Sequence, residues 1–172
     1  HYDIVSTLLD RDADINATSS DHGTALYAAA GNLENRIVKL LLDRNANVNI
    51  IGGPGRRALN TAAFSGNIEA VRVLIERGAD IDPNEDYFYG SALGAAARRG
   101  HADVVRHLLS QSWNPSRPMK TYGSFLSAAA TYNHLEVFQV LLEKEERVLV
   151  LEQALQAAAQ RGYASIVKAI LD

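Results

Sequence analysis

The chain has 172 residues, 47% of them hydrophobic, with a formal net charge of −3 and no cysteine. There is enough apolar side chain for a sizeable core, the mild acidity offers no global basic field for nucleic acid or an anionic membrane, and the missing thiols exclude disulfides, thiol catalysis and Cys-ligated zinc. No run approaches the roughly 18 apolar residues of a membrane span and the start does not resemble a signal peptide, so the expected setting is intracellular, cytoplasmic with the nucleus also open.

The chain opens on His1-Tyr2-Asp3-Ile4-Val5, which matches His101-Ala102-Asp103-Val104-Val105. Apolar residues at i, i+1, i+4 and i+5, here Ile4, Val5, Leu8 and Leu9, lie on one face of a helix. A polar stretch through Asp14-Ile15-Asn16 follows, and then Leu26 heads the small-residue run Ala28-Ala29-Ala30 on a first helix. Val38, Leu41 and Leu42 repeat the apolar face on a second helix, before Asn47-Val48-Asn49 and the turn-rich Gly52-Gly53-Pro54-Gly55.

The cycle then recurs. Leu59, Leu93 and Leu126 follow Leu26 at spacings of 33, 34 and 33, and Leu155 follows after a shortened step of 29. Each heads a run of small residues: Thr61-Ala62-Ala63, Ala95-Ala96-Ala97, Ala128-Ala129-Ala130 and Ala157-Ala158-Ala159. The second-helix columns continue through Val71, Val105, Phe138 and Val167, and through Leu74, Leu108, Leu141 and Ile170. Five first helices and six second helices are predicted. A period of this length denotes stacked supersecondary units, each of which buries its apolar faces only against its neighbours.

These positions resemble the ankyrin-repeat family over essentially the whole chain. The family's Thr-Pro-Leu-His helix start stands here as Thr24-Ala25-Leu26-Tyr27, Arg57-Ala58-Leu59-Asn60, Ser91-Ala92-Leu93-Gly94 and Ser124-Phe125-Leu126-Ser127, with Leu kept and Pro and His lost. The middle turn stands as Gly66-Asn67, Gly100-His101 and Gly162-Tyr163, and the repeat end as Gly78-Ala79-Asp80-Ile81-Asp82. The Gly-Thr-Ala-Leu and Gly-Ser-Ala-Leu starts are similar to those of ankyrin arrays in large fungal proteins. The resemblance implies an all-α ankyrin-repeat solenoid of helix-turn-helix units of about 33 residues with projecting β-hairpin loops. One domain over 1–172 is expected, with a partial repeat at 1–22 and repeats at 23–56, 57–89, 90–122, 123–151 and 152–172. Because the chain starts half a repeat in and stops on an apolar second helix, it reads as a fragment of a longer protein.

Physical reasons accompany the columns. Gly66, Gly100 and Gly162 fall where the first helix must end in a left-handed residue, a conformation that Asn133 also tolerates. The Ala runs let neighbouring first helices approach, and each buried Leu or Val contributes on the order of 1.5–3 kcal/mol. Three departures mark expected irregularities. Gly31-Asn32-Leu33-Glu34 matches Gly66-Asn67-Ile68-Glu69 at a spacing of 35 while Val38 matches Val71 at 33, so a rebuilt turn is expected there. Trp113, with Ser112 before it and Pro115 and Pro118 after it, predicts a distorted hairpin. The short stretch from Leu142 to Leu155 predicts a missing finger.

Motifs for chemistry are weak. Asp10, Asp12 and Asp14 mimic the start of a calcium loop, but Ile15 and Asp21 hold the positions that need Gly and Glu, so a solvated helix end is expected instead. Gly52-Gly53-Pro54-Gly55-Arg56-Arg57 lacks the Gly-Lys-Ser/Thr ending of a phosphate cradle, and its glycines are assigned to turn geometry. The histidines form no i, i+4 metal pair, and the resemblance implies a structural hydrogen bond for His101 and His134. Asn16-Ala17-Thr18 is a formal glycosylation sequon. No nucleophile-base grouping is present, and no catalysis, metal or cofactor is expected.

The resemblance implies a concave side, made of hairpin tips and first-helix positions, that holds other proteins. By register this side presents Phe64, Arg98 and Tyr132 side by side, with Arg161 beyond them and Arg56, Arg57, Tyr87, Phe88 and Tyr89 at the hairpins. Aromatic and Arg side chains anchor interfaces well, bringing large area or several donors at modest entropy cost. The expected function is a non-catalytic protein-protein interaction module, a scaffold or recruiter, monomeric and bound to another protein of some acidic character. A small-ligand array using Arg56, Arg57 and Arg98, and a purely structural spacer, are the alternatives.

Overall fold

First helices start where a side chain can satisfy amides that no carbonyl of the helix reaches. Thr24 Oγ1 accepts the Tyr27 amide and Ser91 Oγ accepts the Gly94 amide, each at 3.0 Å. Arg57 holds the same register and has no oxygen to offer. There the arrangement inverts, and the Arg57 amide donates to Asn60 Oδ1 at 3.2 Å.

The computed structural model describes residues 1–52, 57–81, 91–112, 122–143 and 148–172, apart from the side chains of 112, 122–124 and 148–149. Among the described residues there are eleven helices and no strand. They are α1 (Tyr2–Leu9), α2 (Ala25–Gly31), α3 (Asn35–Asp43), α4 (Ala58–Phe64), α5 (Ile68–Glu76), α6 (Ala92–Arg99), α7 (Ala102–Ser112), α8 (Tyr122–Thr131), α9 (Leu135–Leu142), α10 (Val148–Gln160) and α11 (Ala164–Leu171). Every helix predicted from the periodicity is present. Trp113, Pro115, Pro118, Arg56, Tyr87, Phe88 and Tyr89 lie outside the described residues.

The chain divides into two compact units, His1–Pro83 and Asn84–Asp172. In the first, α2 packs beside α4, and α3 is flanked by α1 and α5; α2 rests on α3 and α4 on α5. In the second, α6, α8 and α10 form one layer and α7, α9 and α11 the other, paired in the same way. The expected columns fill the space between layers. Leu41, Leu74, Leu108 and Leu141 are fully buried, as are Ala30, Ala63, Ala97 and Ala130. In α1 the same column opens, with Leu8 at 54% exposure, and in α11 Ile170 of that column is only half-buried. Burial in such an array is supplied by the neighbouring repeat rather than by the repeat itself.

The turn after each first helix is one structure repeated. Glu34, Asn67, His101, His134 and Tyr163 donate their amides to the carbonyls of Ala29, Ala62, Ala96, Ala129 and Ala158, at 2.9–3.1 Å. The residue before each donor is left-handed: Leu33, Gly66, Gly100, Asn133 and Gly162, with φ between 60° and 80°. The rebuilt turn expected at 31–34 is therefore absent. Gly31 is the last residue of α2, and its resemblance to Gly66 is a coincidence of letters; the buried columns on either side hold the register, so Leu33 takes the left-handed site despite its Cβ.

The polar loops carry a second repeating device. The amides of Asn16 and Asn49 donate to the side-chain oxygens of Asp14 and Asn47 within their own loops. The Oδ1 atoms of Asn16 and Asn49 accept the amides of Asn47 and Asp80 in the next repeat, each at 2.9 Å. Asn49 Nδ2 also donates to the Gly78 carbonyl at 3.1 Å. One side chain thus shapes its loop and joins it to the next. The first finger closes on a single antiparallel bridge between Ser19 and Gly23. Gly52 is correspondingly a residue of close approach: a Cβ there would stand 3.0 Å from the Thr24 nitrogen and 3.1 Å from the Gly23 Cα. For Gly52, which is not among the left-handed glycines, this replaces the turn-geometry assignment; Gly53 and Gly55 lie outside the described residues.

Leu33 is 58% exposed, so its side chain contributes little that offsets the left-handed backbone. Leu33→Asn is expected to stabilise the fold by up to about 1 kcal/mol, read as a rise of about 2–4 °C in Tm.

Candidate functional site

At the C-terminal end of α6 the buried Ala95, Ala96 and Ala97 face inward, and Arg98 and Arg99 occupy the last turn. α8 ends one repeat later at Thr131, and Tyr132 follows it into the turn. The Arg98 guanidinium carbon lies over the Tyr132 ring, 5.4 Å from its centroid. The ring is 44% exposed, so an aromatic body and a cation are presented together. His134 stacks on the other partner of this pair, its ring centroid 6.3 Å from that of Tyr132 with an interplanar angle of 23°.

His134 Nε2 also lies 2.9 Å from the Arg98 carbonyl oxygen. A carbonyl only accepts, so Nε2 carries the proton and donates. Arg98 is thereby held at its main chain by His134 and at its side chain by Tyr132. This geometry depends on Gly100. A Cβ there would fall 2.6 Å from His134 Nδ1, on a backbone already at φ +80°. In the first unit the same helix end is braced by other chemistry. Asn67 Nδ2 donates to the Ala30 carbonyl at 3.3 Å and Ser65 Oγ to the Gly31 carbonyl at 2.8 Å. In each case a neighbour satisfies carbonyls that the helix leaves open. Asn67 is buried, and its Oδ1 accepts the Ala70 amide at 3.1 Å, so both ends of its carboxamide are used.

Of the residues predicted for partner contact, Arg98 and Tyr132 are brought together. Phe64 is the half-buried last residue of α4 and belongs to the first unit. Arg161 is exposed just beyond α10, in the register of Tyr132 one repeat on. Arg57 is half-buried, and its Nε donates to the Asn49 carbonyl at 3.1 Å, bracing the loop of the preceding repeat. Tyr87, Phe88, Tyr89 and Arg56 lie outside the described residues.

The second-helix layer carries inter-repeat ion pairs that the sequence reading missed. Lys39 meets Glu69 at 2.6 Å, Arg106 meets Glu136 at 2.9 Å, Arg44 meets Asp10 at 2.9 Å, and Arg77 meets Asp43. The signal was opposite charge recurring at separations of 30 and 34 residues. The hydrogen bond from Lys39, then its charge, holds the Glu69 carboxyl below the ordinary glutamate range, and the same bond and the Glu69 charge raise Lys39. Asp10, Asp12 and Asp14 are likewise structural: an ion pair with Arg44, a left-handed turn and a loop cap. Among the described residues no cluster of His, Asp and Glu could hold a metal ion, and no helix is long and apolar enough to cross a membrane.

A family model described as "Ankyrin repeats (3 copies)" matches residues 1–85 and 82–152. The chain belongs to the ankyrin-repeat family. The ankyrin repeat domain of human ASB11, solved as a crystal structure, is similar to it with a TM-score of 0.84 and 26% sequence identity, over 98% of this chain and 76% of that one. No curated protein matches the chain as a relative. Ankyrin repeats are generally protein-protein interaction modules. Within this ankyrin chain the alanine columns, left-handed turns and loop carboxamides are used up in stacking, which leaves the ends of the first helices to vary in chemistry.

Two glycines separate the steric from the conformational contribution. Gly162 shares the left-handed backbone at φ +73°, with nothing within 4 Å of an added Cβ. Gly162→Ala should cost about 1 kcal/mol, and Gly100→Ala distinctly more, since His134 must leave the Arg98 carbonyl. In a His134→Ala background the added cost of Gly100→Ala should fall to the Gly162 level; urea unfolding of the four variants measures this.

The ion pair gives a titration. A carboxyl lowered in the folded state stabilises above its unfolded range and loses this as pH falls through its folded midpoint; a raised lysine loses its contribution only as pH rises through its own. The Lys39-Glu69 pair should therefore hold across neutral pH and fail in acid. Carbon-detected NMR should place the Glu69 midpoint below that of an ordinary glutamate, and Lys39→Met should move it upward.

Proposed function

We propose that this ankyrin chain is a non-catalytic recruiting module, and that it recognises another protein on its first-helix side, with Arg98 and Tyr132 at the centre of the contact. The observation that carries the reading is the stacking of the Arg98 guanidinium on a Tyr132 ring that remains 44% exposed. A folded array spends its large side chains on stacking, and an aromatic left out of the core beside an ordered guanidinium is the combination that most often anchors a protein contact. Part of the ordering is in place before the partner arrives. His134 holds the Arg98 carbonyl and stacks on Tyr132, so little rotamer freedom is lost on binding.

The second-helix side offers a contrast. There Lys39, Arg77 and Arg106 are matched to carboxylates of the neighbouring repeat, and exposed pairs of that kind are screened and contribute little to a partner's affinity. Arg161 extends the contact one repeat beyond Tyr132, and Phe64 serves the first unit in the register of Arg98.

The test is affinity capture from native lysate with three forms of the chain: wild type, Arg98→Ala with Tyr132→Ala, and Lys39→Ala with Arg106→Ala. Far-UV circular dichroism should be unchanged in both variants. Proteins held by the wild type should be lost with the Arg98 and Tyr132 changes and kept with the Lys39 and Arg106 changes. Retention by the first variant would remove this surface from the contact.

A further inference from the structure

Two rules of charge run through the second helices. A cation one residue after the Val column reaches forward to a carboxylate 30 residues on, as Lys39 meets Glu69 and Arg106 meets Glu136. A carboxylate five residues after that column is met by an arginine 34 residues on, as Asp10 is by Arg44 and Asp43 by Arg77. The contact of α3 with α5 uses both rules together. Lys39 and Asp43 on one helix meet Glu69 and Arg77 on the next.

Two other second helices carry the halves of this contact unjoined. On α11, Lys168 stands one residue and Asp172 five residues after Val167, the places that Lys39 and Asp43 hold after Val38. On α1, Asp3 stands two residues before Val5 and Arg11 six residues after it, the places that Glu69 and Arg77 hold about Val71. All four residues are exposed, and among the described residues none of the four forms an ion pair.

The apolar columns open on the same two helices. Leu171 is 71% exposed, although Leu42 and Leu109 in its column are buried, and Leu8 is 54% exposed. α1 makes its main contact with α3, second helix on second helix, so stacking of this kind forms through one layer. A surface that completes α11 must present a helix with an apolar face, a carboxylate for Lys168 and a cation for Asp172. The residues of α1 and the Arg11 that follows it meet that description in sign and in register.

We infer that the chain associates with a second copy of itself, the α11 face of one copy on the α1 face of the next. Lys168 meets Asp3 of the partner copy and Asp172 meets its Arg11, while Ile170 and Leu171 close on the apolar side of its α1. Two different faces meet, rather than one face meeting itself. The apolar side chains supply most of the attraction, and the exposed ion pairs, which contribute little individually, set the register and exclude like-charged pairings. Such a one-layer contact buries less than about 1,000 Å² and is therefore weak, so the monomer expected from the sequence is the dilute form.

Sedimentation equilibrium over roughly 10 μM to 1 mM reads an association of this strength. The average mass should rise above 18.7 kDa with concentration, and less steeply at high salt. Lys168→Glu with Asp172→Lys should weaken association by about tenfold or more, as should Asp3→Lys with Arg11→Glu, each with an unchanged far-UV spectrum. The two reversed variants have complementary faces, so mixing them should restore association to the wild-type level. Lys168→Gln and Arg11→Gln, which remove charge without inverting it, should weaken association by less. A wild-type chain that stays at monomer mass throughout would overturn the assignment. So would an α11 reversal that associates as the wild type does, or folded reversed variants that remain monomeric when mixed.

Discussion

A single repeat of this chain cannot cover its own apolar faces, and nearly everything else in the structure follows from the contact between one repeat and the next. The Ala runs sit where first helices meet, and the Leu and Val columns sit between the layers. Leu41, Leu74, Leu108 and Leu141 reach full burial, while Leu8 and Ile170, in the same column of α1 and α11, do not. Since each fully buried aliphatic side chain contributes on the order of 1.5–3 kcal/mol, a handful of such columns outweighs the total stability of an ordinary domain before chain entropy is counted. The interface between repeats, rather than the helix pair, is the unit of stability.

That interface also dictates the polar architecture. Stacking brings the ends of α2 and α6 against the turn of the next repeat, and the carbonyls left open there are met by Asn67 and Ser65 in the first unit and by His134 in the second. Three different side chains answer the same demand, which is geometric and not chemical. The loops are joined in the same way by Asn16 and Asn49, each held by a carboxyl or carboxamide two residues earlier. Leu33 shows how strong the constraint is. It keeps a left-handed backbone that an L side chain disfavours by roughly 1–2 kcal/mol, because moving it would pull the buried columns on either side out of register.

What stacking does not claim is left to vary. The positions after each alanine run vary freely in size and charge, from Gly31 through Phe64 and Arg98 to Gln160. In the second unit they gather an aromatic ring and three cations on a rim whose backbone is already fixed. The same His134 that closes a helix end also orders the exposed Tyr132, so the scaffold and the surface share one side chain. Substitution at the rim then need not disturb the columns beneath it.

The amino-acid sequence determined the fold by itself, because in a repeat array each buried side chain meets residues of its own unit and of the next, and a period of 33 residues records those meetings in order. Leu26, Leu59 and Leu126 announced their helices and are buried in them; Leu93 and Leu155 announced theirs and are only half-buried. Motif letters were less reliable than columns. Gly31-Asn32 imitated a turn that in fact lies two residues later, and Gly52 was assigned to a turn when the backbone of the preceding finger, 3.0 Å from its missing Cβ, is the reason for it. The ion pairs, the loop carboxamides and the meeting of Arg98, Tyr132 and His134 were decided by the tertiary structure alone. These contacts join residues about a repeat apart, and sequence spacing sets only which repeats they belong to. Whether two such side chains touch depends on the offset and rotation of one helix layer against the next, which packing in three dimensions determines.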